Sequence, residues 1–525
     1  METPMKRIRL FTHPLTAWLI LGAGGFIAGV ILAACQSSGI VCSAGLSRCG
    51  LGCADFKSDS QNCGACGVAC QSLQICQDSA CQCRPGATRC GSSCVVTSSD
   101  PQNCGGCSDG GGFSCNATQV CNQGQCADRC PSDGGLTACA QGCVDLHSDP
   151  LNCGQCGNTC LTGQSCRDGG TCTSDVVAAC YDTGQIVGLQ AGPDVLSERH
   201  AIGTGPQALG VMQGILLAAD GRDQRLRQMR LQDFNVLAPF DPLGSSPNHV
   251  FVDGFYVYVV NSIGNTLQVF RRTGIDAGLQ FSIPDGGQLP FGPNTSPQSI
   301  AKLGNNLYIP LWGTGEIAEI DVSNPDSPSR GRTFSLNSLD LRPFGAPTFP
   351  RPAGIAAYRG SIYVGLSNLT ATYAPGGPGM LAQLNVTTGT VTPIYLPTPC
   401  LNTYWLVSAG DVLYVTCSGR PTYESGRLTA IDSSGAVAMT ADGGMTLWNG
   451  ACDGGCFGAS PGRFAVLGNR LYLGDQLGRM FVIDNVDGGF VERRGNNFAT
   501  AGLPISACQA DPSGFANVID VIPIP

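Results

Sequence analysis

The 525-residue sequence predicts a mainly β protein in which disulfide-rich small modules are followed by a β-propeller. Cysteine gives the first indication, because 26 of the 31 cysteines lie at or before Cys180. From about residue 174 the pattern changes to alternating apolar strands separated by glycine, proline, asparagine and aspartate. The chain therefore has at least two kinds of domain. Its hydrophobic content of 43% is sufficient for a core, and its net charge of −9 argues against nucleic acid as a partner.

The first 34 residues have the layout of an export signal. An apolar stretch over 15–34 follows three basic residues, Lys6, Arg7 and Arg9. The stretch ends in Leu32-Ala33-Ala34-Cys35, which resembles the lipobox of bacterial lipoprotein signals. The resemblance implies a signal peptide over 1–34, a lipidated Cys35 and a lipidated linker over 35–41. An uncleaved membrane-spanning anchor is the alternative, since about 20 apolar residues can cross a bilayer.

Two further observations bear on the lipid anchor and its location. Without Cys35, an even number of 30 cysteines remains for pairing, out of the 31 present. Gln36 follows Cys35, where an aspartate would resemble an inner-membrane retention signal. We therefore expect the outer membrane or the cell surface, with the membrane contacted through the lipid.

Three consecutive modules follow, over 42–81, 83–126 and 130–172, and each contains eight cysteines. The intervals of 4, 10 and 3 residues between the second and fifth cysteines recur unchanged in all three. Each module also repeats a core of the form Ser-Asp-x-x-Asn-Cys-Gly-x-Cys, at 58–66, 99–107 and 148–156. An aspartate followed by proline suits the start of a helix, so we expect a turn or a single helical turn to open each core.

These cores resemble the stigma-specific-protein-like cysteine-rich repeats of secreted bacterial proteins. The resemblance implies small extracellular modules stapled by disulfides, and it implies no reaction. Zinc binding is less favoured because each module has one Cys-x-x-Cys pair, and redox chemistry lacks its βαβ context. Calcium binding would use Asp55 with Asp59 and Asp145 with Asp149, but Val96 occupies the first of these positions in the second module. Eight cysteines allow about 105 connectivities per module, and the sequence does not choose among them.

Residues 174–525 contain a second repeat, which predicts the propeller. Pro352-Ala353-Gly354 leads, after a turn, into the strand Ile362-Tyr363-Val364, and similar frames recur at intervals of 41 to 58 residues. The frames begin at 206, 247, 297, 352, 403 and 461, with a partial copy at Pro512. This pattern resembles the NHL and YVTN-like propeller families. It favours seven blades, with six as the alternative.

The two ends of this region predict how the ring closes. Residues 176–179 match an outer strand of the repeat, and 515–522 offer an inner strand, so the two ends can complete one blade together. Cys180 and Cys508 lie near this seam and can bridge it. Two further bridges are expected among the remaining cysteines, with a local Cys452–Cys456 loop as the simplest choice: Cys400, Cys417, Cys452 and Cys456.

The third residue of each frame is expected at the mouth of the central channel, where propeller sites usually lie. The seven positions are Ala208, His249, Ser299, Gly354, Trp405, Arg463 and Gly514. This rim has one histidine, one arginine and no carboxylate, so the candidate binding residues are His249, Ser299, Trp405 and Arg463. We expect no catalytic residues, no metal and no cofactor.

The sequence thus predicts a surface lipoprotein that displays a propeller as a binding platform for a protein or a glycan. The first alternative is a lactonase-like propeller hydrolase or lyase with its site at the channel mouth. The second is a purely structural component of the envelope or matrix. Fold alone does not decide among the three.

Overall fold

The structure is a computed structural model that describes most of residues 47–524. Its longer gaps are 57–61, 420–425, 432–436, 439–444, 448–460, 495–504 and 509–516, and shorter gaps occur elsewhere. All regular secondary structure in the described residues is β. None of these residues belongs to a helix of the length and apolar character that crossing a bilayer requires. Cys35 and the expected signal peptide lie outside the described part of the chain.

The cysteine modules are built from two-stranded antiparallel hairpins, two in each module. Their short strands bring cysteines opposite one another, as where Cys121 pairs in register with Cys126. The strands are Ser47–Cys49, Gly52–Ala54, Gln74–Gln77, Ala80–Cys83, Thr88–Cys90, Ser93–Val95, Val120–Asn122, Gln125–Ala127, Thr137–Cys139, Gly142–Val144, Ser165–Arg167 and Thr171–Thr173.

The second and third modules share one disulfide connectivity. The first cysteine bonds the third, the second bonds the fifth, the fourth bonds the seventh and the sixth bonds the eighth. The bridges are Cys83–Cys94, Cys90–Cys107, Cys104–Cys121, Cys115–Cys126, Cys130–Cys143, Cys139–Cys156, Cys153–Cys166 and Cys160–Cys172. Two bridges of the first module, Cys63–Cys76 and Cys70–Cys81, follow the same pattern.

A turn, and not a helix, opens the cores of the second and third modules. Asp100 accepts a hydrogen bond from the backbone N–H of Gln102 at 2.8 Å, and Asp149 accepts one from Leu151 at the same distance. The aspartate therefore caps a short turn that the neighbouring disulfides terminate. The two modules also pack closely, because a Cβ built on Gly142 would lie 2.0 Å from the carbonyl oxygen of Ser99.

The remaining chain forms seven antiparallel blades around a central channel. Each blade has four strands, and the first strands of adjacent blades contact each other at six of the seven junctions in the described residues. We number the blades I to VII, with blade I formed by both ends of the propeller. In this order the inner strands are Val518–Pro523, Pro206–Met212, Pro247–Asp253, Ala301–Leu303, Pro352–Tyr358, Thr403–Ala409 and Pro461–Leu467.

The other three strands of each blade follow outward in chain order. The second strands are Val176–Cys180, Ile215–Asp220, Tyr256–Asn261, Asn306–Leu311, Ser361–Leu366, Val412–Cys417 and Arg470–Asp475. The third strands are Gln185–Gln190, Arg225–Arg230, Thr266–Gly274, Glu316–Asp321, Met380–Leu384, Arg427–Ile431 and Arg479–Val486. The outer strands are Val195–Ala201, Val236–Phe240, Gln280–Ser282, Ser329–Ser335, Val391–Tyr395, Val437–Ala438 and Gly489–Arg494. Short additional strands are Gln288–Pro290, Thr348–Phe349, Leu369–Thr370, Met445–Thr446 and Ile505–Ser506.

The second strands are buried between adjacent blades, which explains their continuous apolar sequence. Tyr258, Tyr308 and Tyr472 come from the repeated frames and are at most 1% exposed. The phenol hydroxyl of Tyr308 donates a hydrogen bond to the Glu319 carboxylate at 2.8 Å. Burial of both faces of a strand favours apolar runs over the strict alternation of a half-exposed sheet.

Blade I confirms the predicted seven-bladed ring, since the two ends of the propeller complete it together, but Val176–Cys180 is its second strand and not the outer strand that the repeat predicted. The inner strand Val518–Pro523 runs antiparallel to Val176–Cys180, with Ala178 opposite Val521. A disulfide joins Cys180 to Cys508 across 328 residues of chain. In the chain-entropy description a bridge of that span contributes up to about 5 kcal/mol. A second disulfide joins Cys400 to Cys417, whereas Cys452 and Cys456 lie outside the described residues.

A left-handed residue precedes the inner strand in four blades. These residues are Ser246, Ser296, Arg351 and Asn402, with φ between 48° and 56°. The carbonyl of each accepts a hydrogen bond from the residue that follows the second strand, as when the Ser418 N–H donates to Asn402 at 2.9 Å. A left-handed conformation at a non-glycine residue costs about 1–2 kcal/mol of folding free energy, so the surrounding loops must stabilise this repeated hydrogen-bonded turn. These hydrogen bonds fix the start of four inner strands at one end of the ring, which we call the channel mouth.

The third module docks at the opposite end of the ring. The Gln164 side-chain amide donates hydrogen bonds to the carbonyls of Leu231 and Gln232, at 2.9 and 3.0 Å. Arg167 forms an ion pair with Asp175, whose carboxylate also accepts a hydrogen bond from the Ala191 N–H at 2.7 Å. Leu231 and Ala191 lie in turns between the third and fourth strands, where the inner strands end. The modules therefore approach the propeller from the side away from the channel mouth.

Candidate channel-mouth site

A bulge near the start of the inner strands sets the geometry of the site. In blade III, Pro247 pairs with Asn261 and His249 pairs with Val260, so Asn248 is the extra residue. The same shift precedes Ala208 in blade II and Trp405 in blade VI. The bulge re-aims the backbone and presents the third residue of the frame at the same level of the channel.

The register of blade I corrects the seventh rim position. Val518 pairs with Cys180 and Asp520 pairs with Ala179, with the same register shift between them. Asp520, and not Gly514, is thus the third residue of this frame, while Gly514 itself lies outside the described residues. The expectation of a rim without a carboxylate is therefore wrong. It failed because Pro512 does not open the closing strand.

Arg463 crosses the channel and connects four blades. One guanidinium nitrogen, Nη1, donates to Asp520 Oδ2 of blade I at 3.2 Å. Nη2 donates to the carbonyl of Asn248 in blade III. The guanidinium carbon lies 4.4 Å from the centre of the Trp405 ring of blade VI. Arg463 is only 2% exposed, so this side chain fills the channel at the level of the rim.

Asp520 is the buried partner of Arg463. Its carboxylate also accepts a hydrogen bond from the Leu209 N–H of blade II at 2.8 Å. Burial raises the pKa of Asp520 above the ordinary 3.8, while Arg463 and the Leu209 hydrogen bond oppose that rise. Two of the neighbouring blades are thereby joined to the closing strand through one side chain.

His249 is held in its neutral form. Its Nδ1 accepts a hydrogen bond from the Ile300 N–H at 3.1 Å, which places the ring proton on Nε2. Burial in the channel, and secondarily the charge of Arg463, lower the pKa of His249 well below 6.5. The ring meets Trp405 edge to face, with 5.4 Å between centroids. His249 can therefore donate one hydrogen bond, and it is not charged at neutral pH.

Three amide side chains form a relay across blades II, III and IV. The Gln207 amide donates to Asn248 Oδ1 at 3.2 Å, and Asn248 donates to Gln298 Oε1 at 2.9 Å. Gln298 donates in turn to the Ser296 carbonyl at 3.0 Å. Gln207 Oε1 is buried and has no hydrogen-bond partner among the described residues. This relay could have been predicted from the sequence, because the three amides occupy the second position of three successive frames.

The four residues predicted for the rim have different roles in the structure. Trp405 contacts both His249 and Arg463. Ser299 is 1% exposed and donates to the Ala353 carbonyl at 2.6 Å, so it joins blades IV and V. Tyr404 lies beside Trp405, with 6.2 Å between their ring centroids, whereas Trp448 lies outside the described residues.

The groups of metal-ligating side chains in the described residues belong to the cysteine modules. Each is a trio of cysteines whose sulfur atoms lie within 4.8 Å of one another, such as Cys104, Cys115 and Cys126. The sulfurs of these trios are already engaged in disulfides, as in Cys104–Cys121 and Cys115–Cys126. The rim instead offers one paired carboxylate, one neutral imidazole, three amides and an indole. Such a set can hold a polar ligand by hydrogen bonds.

No protein-family model matches the chain, and no curated protein matches its sequence. Solved structures resemble it in fold. A protein from Lactobacillus plantarum is 14% identical over 66% of this chain and 98% of its own, with a TM-score of 0.45. Virginiamycin B lyase from Staphylococcus aureus is 14% identical over 56% and 91%, with a TM-score of 0.38. Hydrazine synthase from Kuenenia stuttgartiensis is 16% identical over 53% and 76%, with a TM-score of 0.40.

Replacement of Arg463 by methionine is expected to leave Asp520 as a buried carboxylate without its cation. Breaking a buried pair in this way costs about 3–5 kcal/mol of unfolding free energy. The double variant Arg463→Met/Asp520→Asn, which retains an acceptor for Leu209, should recover most of that loss. Urea unfolding of the four proteins measures the coupling.

The loss in Arg463→Met should also depend on pH. Without the guanidinium the folded pKa of Asp520 lies still further above 3.8, so the ionised form destabilises the folded state at neutral pH. As pH falls through that raised pKa the carboxyl becomes neutral, and the loss relative to the unmodified protein should shrink. Independent, additive losses at all pH values would contradict the pairing.

Proposed function

We propose that the protein is a lipid-anchored envelope protein that presents its propeller as a non-catalytic binding platform. Cys35 is the anchor, and the three cysteine modules are the stalk. The ligand is a protein or a glycan at the cell surface, bound at the channel mouth. The observation that carries the proposal is the placement of the stalk and the channel mouth at opposite ends of the ring.

The opposite placement supports outward display. Gln164 and Arg167 attach the third module where the inner strands end, while His249, Trp405 and Arg463 lie where they begin. A chain tethered through its first residues would therefore direct the channel mouth away from the membrane. Disulfides throughout the modules fit an oxidising compartment, as expected of an exported protein.

Binding is favoured over hydrolysis or elimination by the state of the rim groups. General acid–base catalysis needs a group that can exchange a proton near the working pH. Asp520 is already engaged by Arg463 and Leu209, and His249 is held neutral by its surroundings. Asp520 is thus committed to the architecture of the channel, and His249 keeps one hydrogen-bond donor, its Nε2–H, for a ligand.

Lipidation has a direct test in cells fed a labelled fatty acid. The full-length chain should incorporate the label and lose residues 1–34, because the thiol of Cys35 is the acceptor. Cys35→Ser should abolish labelling and leave residues 1–34 uncleaved. A labelled Cys35→Ser chain, or an unlabelled natural chain that stays in the membrane with its first residues intact, would contradict the lipid anchor.

Ligand binding can be tested with the chain from Gln36 onward, exported to an oxidising compartment. It should bind members of a glycan array or a purified envelope component, and Tyr404→Ala together with His249→Ala should weaken binding about tenfold or more, as expected for residues at the centre of an interface. Phe255→Ala is the matched control, since Phe255 is 57% exposed in a turn at the stalk end. Equal effects of the two changes, or turnover of a lactone or ester that requires His249, would contradict the proposal.

A further inference from the structure

A cluster of aromatic side chains surrounds Arg351 at the channel-mouth end of blades IV and V. We call it the Arg351 ledge and define it as Trp312, Phe349, Arg351 and Tyr373. Trp312 follows the second strand of blade IV, and Arg351 precedes the inner strand of blade V. Tyr373 lies in the loop between the second and third strands of blade V. Sequence patterns did not indicate the ledge, because its members come from three separate loops.

The guanidinium of Arg351 is held by ring faces and by backbone carbonyls. Its central carbon lies 4.2 Å from the centre of the Trp312 ring, 5.2 Å from Phe349 and 5.6 Å from Tyr373. Nη1 donates to the carbonyls of Trp312 and Gly313 at 3.4 and 3.3 Å. No carboxylate of the described residues forms an ion pair with Arg351, and burial lowers the pKa of its guanidinium. The ledge is therefore a fixed cation without a counterion in this part of the chain.

The ledge also concentrates the exposed aromatic surface of the protein. Among the described residues four large aromatic side chains are exposed, and two of them, Phe349 and Tyr373, belong to the ledge. A third, Phe344, is 58% exposed, and its N–H donates to Gly376 in the Tyr373 loop at 2.7 Å. Aromatic surface gathered around one cation in this way marks an interaction site.

The loops that carry the ledge are held in place. Phe349 pairs with Leu369 in a short two-stranded ladder. Tyr373 has a φ of 63°, a strained value for a bulky residue, and its N–H donates to the Thr370 carbonyl at 3.0 Å. Buried Asn368 donates to the Leu341 carbonyl at 2.8 Å and so ties the two loops together. A preorganised surface loses little freedom when a ligand binds.

We infer that the Arg351 ledge binds a saccharide that carries a carboxylate, of the uronic-acid class. This rests on the proposed function and names the ligand class for that end of the molecule. A guanidinium recognises a carboxylate through paired, charge-assisted hydrogen bonds. The Trp312 and Tyr373 rings stack on each other, with 5.6 Å between centroids and 22° between planes, so the C–H face of a pyranose ring can pack on the outer face of the exposed Tyr373 ring. A peptide would commonly add to an unpaired strand edge, and the ledge is made of side chains on closed loops.

The test compares a trisaccharide of galacturonic acid with its methyl ester, by calorimetry on the chain from Gln36 onward. The acid should bind, and the ester, which keeps the shape and removes the charge, should bind at least about tenfold more weakly. Arg351→Gln should reduce affinity for the acid by a similar factor. Tyr373→Ala should reduce affinity for both saccharides about fivefold, because it removes a stacking face.

The matched control is Arg272→Gln at the stalk end, where Arg272 lies 4.6 Å from the ring of exposed Phe255. Arg272 and Phe255 also pair a guanidinium with an exposed aromatic ring, but they lie at the opposite end of the ring of blades. The affinity of Arg272→Gln for the acid should therefore be unchanged. Tyr373 is exposed at the surface, so Tyr373→Ala keeps the test valid even if Arg351→Gln unfolds, and thermal melts identify that case. Equal binding of acid and ester, or an equal loss in Arg272→Gln, would overturn the inference.

The two proposals fail in distinguishable ways. Binding of other glycans at the channel mouth, with no binding of the uronic acid, would overturn the ligand class and leave the platform in place. Binding of acidic peptides in preference to the saccharide would also overturn the ligand class. Failure of every glycan and every envelope component would overturn both.

Discussion

The constraint on which the structure depends is closure of the ring by the two ends of the propeller. A ring of antiparallel blades buries the faces of all its blades only if the first and last blades are joined. Here Val518–Pro523 supplies the inner strand of the blade whose other strands begin at Val176. The Cys180–Cys508 disulfide holds this join covalently at the channel-mouth end. Any function of the channel mouth therefore requires a closed ring.

The site follows from the same closure. Asp520 lies at the channel because its strand, Val518–Pro523, is the inner strand of blade I. Arg463 extends across the channel and donates a hydrogen bond to its carboxylate. A buried ion pair of this kind adds little net stability compared with an apolar contact, so its value lies in specifying one arrangement. In this protein it links the closing strand of blade I to the inner strand of blade VII. The neutral His249 and the amide relay beside it depend on that arrangement.

Much of the fold could be predicted from the sequence, because the signals were periodic. Cysteine intervals located the modules, and the Pro-led frames located six inner strands and the composite seventh blade. The Asp520 position could not be predicted, since the closing strand has no proline at its start and its frame is set by pairing with Cys180. The disulfide pattern within modules was likewise open, because eight cysteines at similar spacings allow many pairings until hairpins bring particular pairs together.

For the site, sequence reasoning found His249, Trp405 and Arg463 by their equivalent positions in the repeat. It could not show that the Ser299 hydroxyl is engaged in a hydrogen bond between blades, because that depends on which carbonyl lies opposite the hydroxyl. The Arg351 ledge has no repeat to reveal it. Its residues meet only through loops of different lengths in two neighbouring blades.

The measurement that tests ring closure most directly is mass-spectrometric mapping of disulfides in the intact, unreduced protein. Closure predicts a proteolytic fragment in which the peptide containing Cys180 is bonded to the peptide containing Cys508. A Cys180 bonded to a cysteine between residues 42 and 172 would contradict the shared blade, and with it the position of Asp520 in the channel.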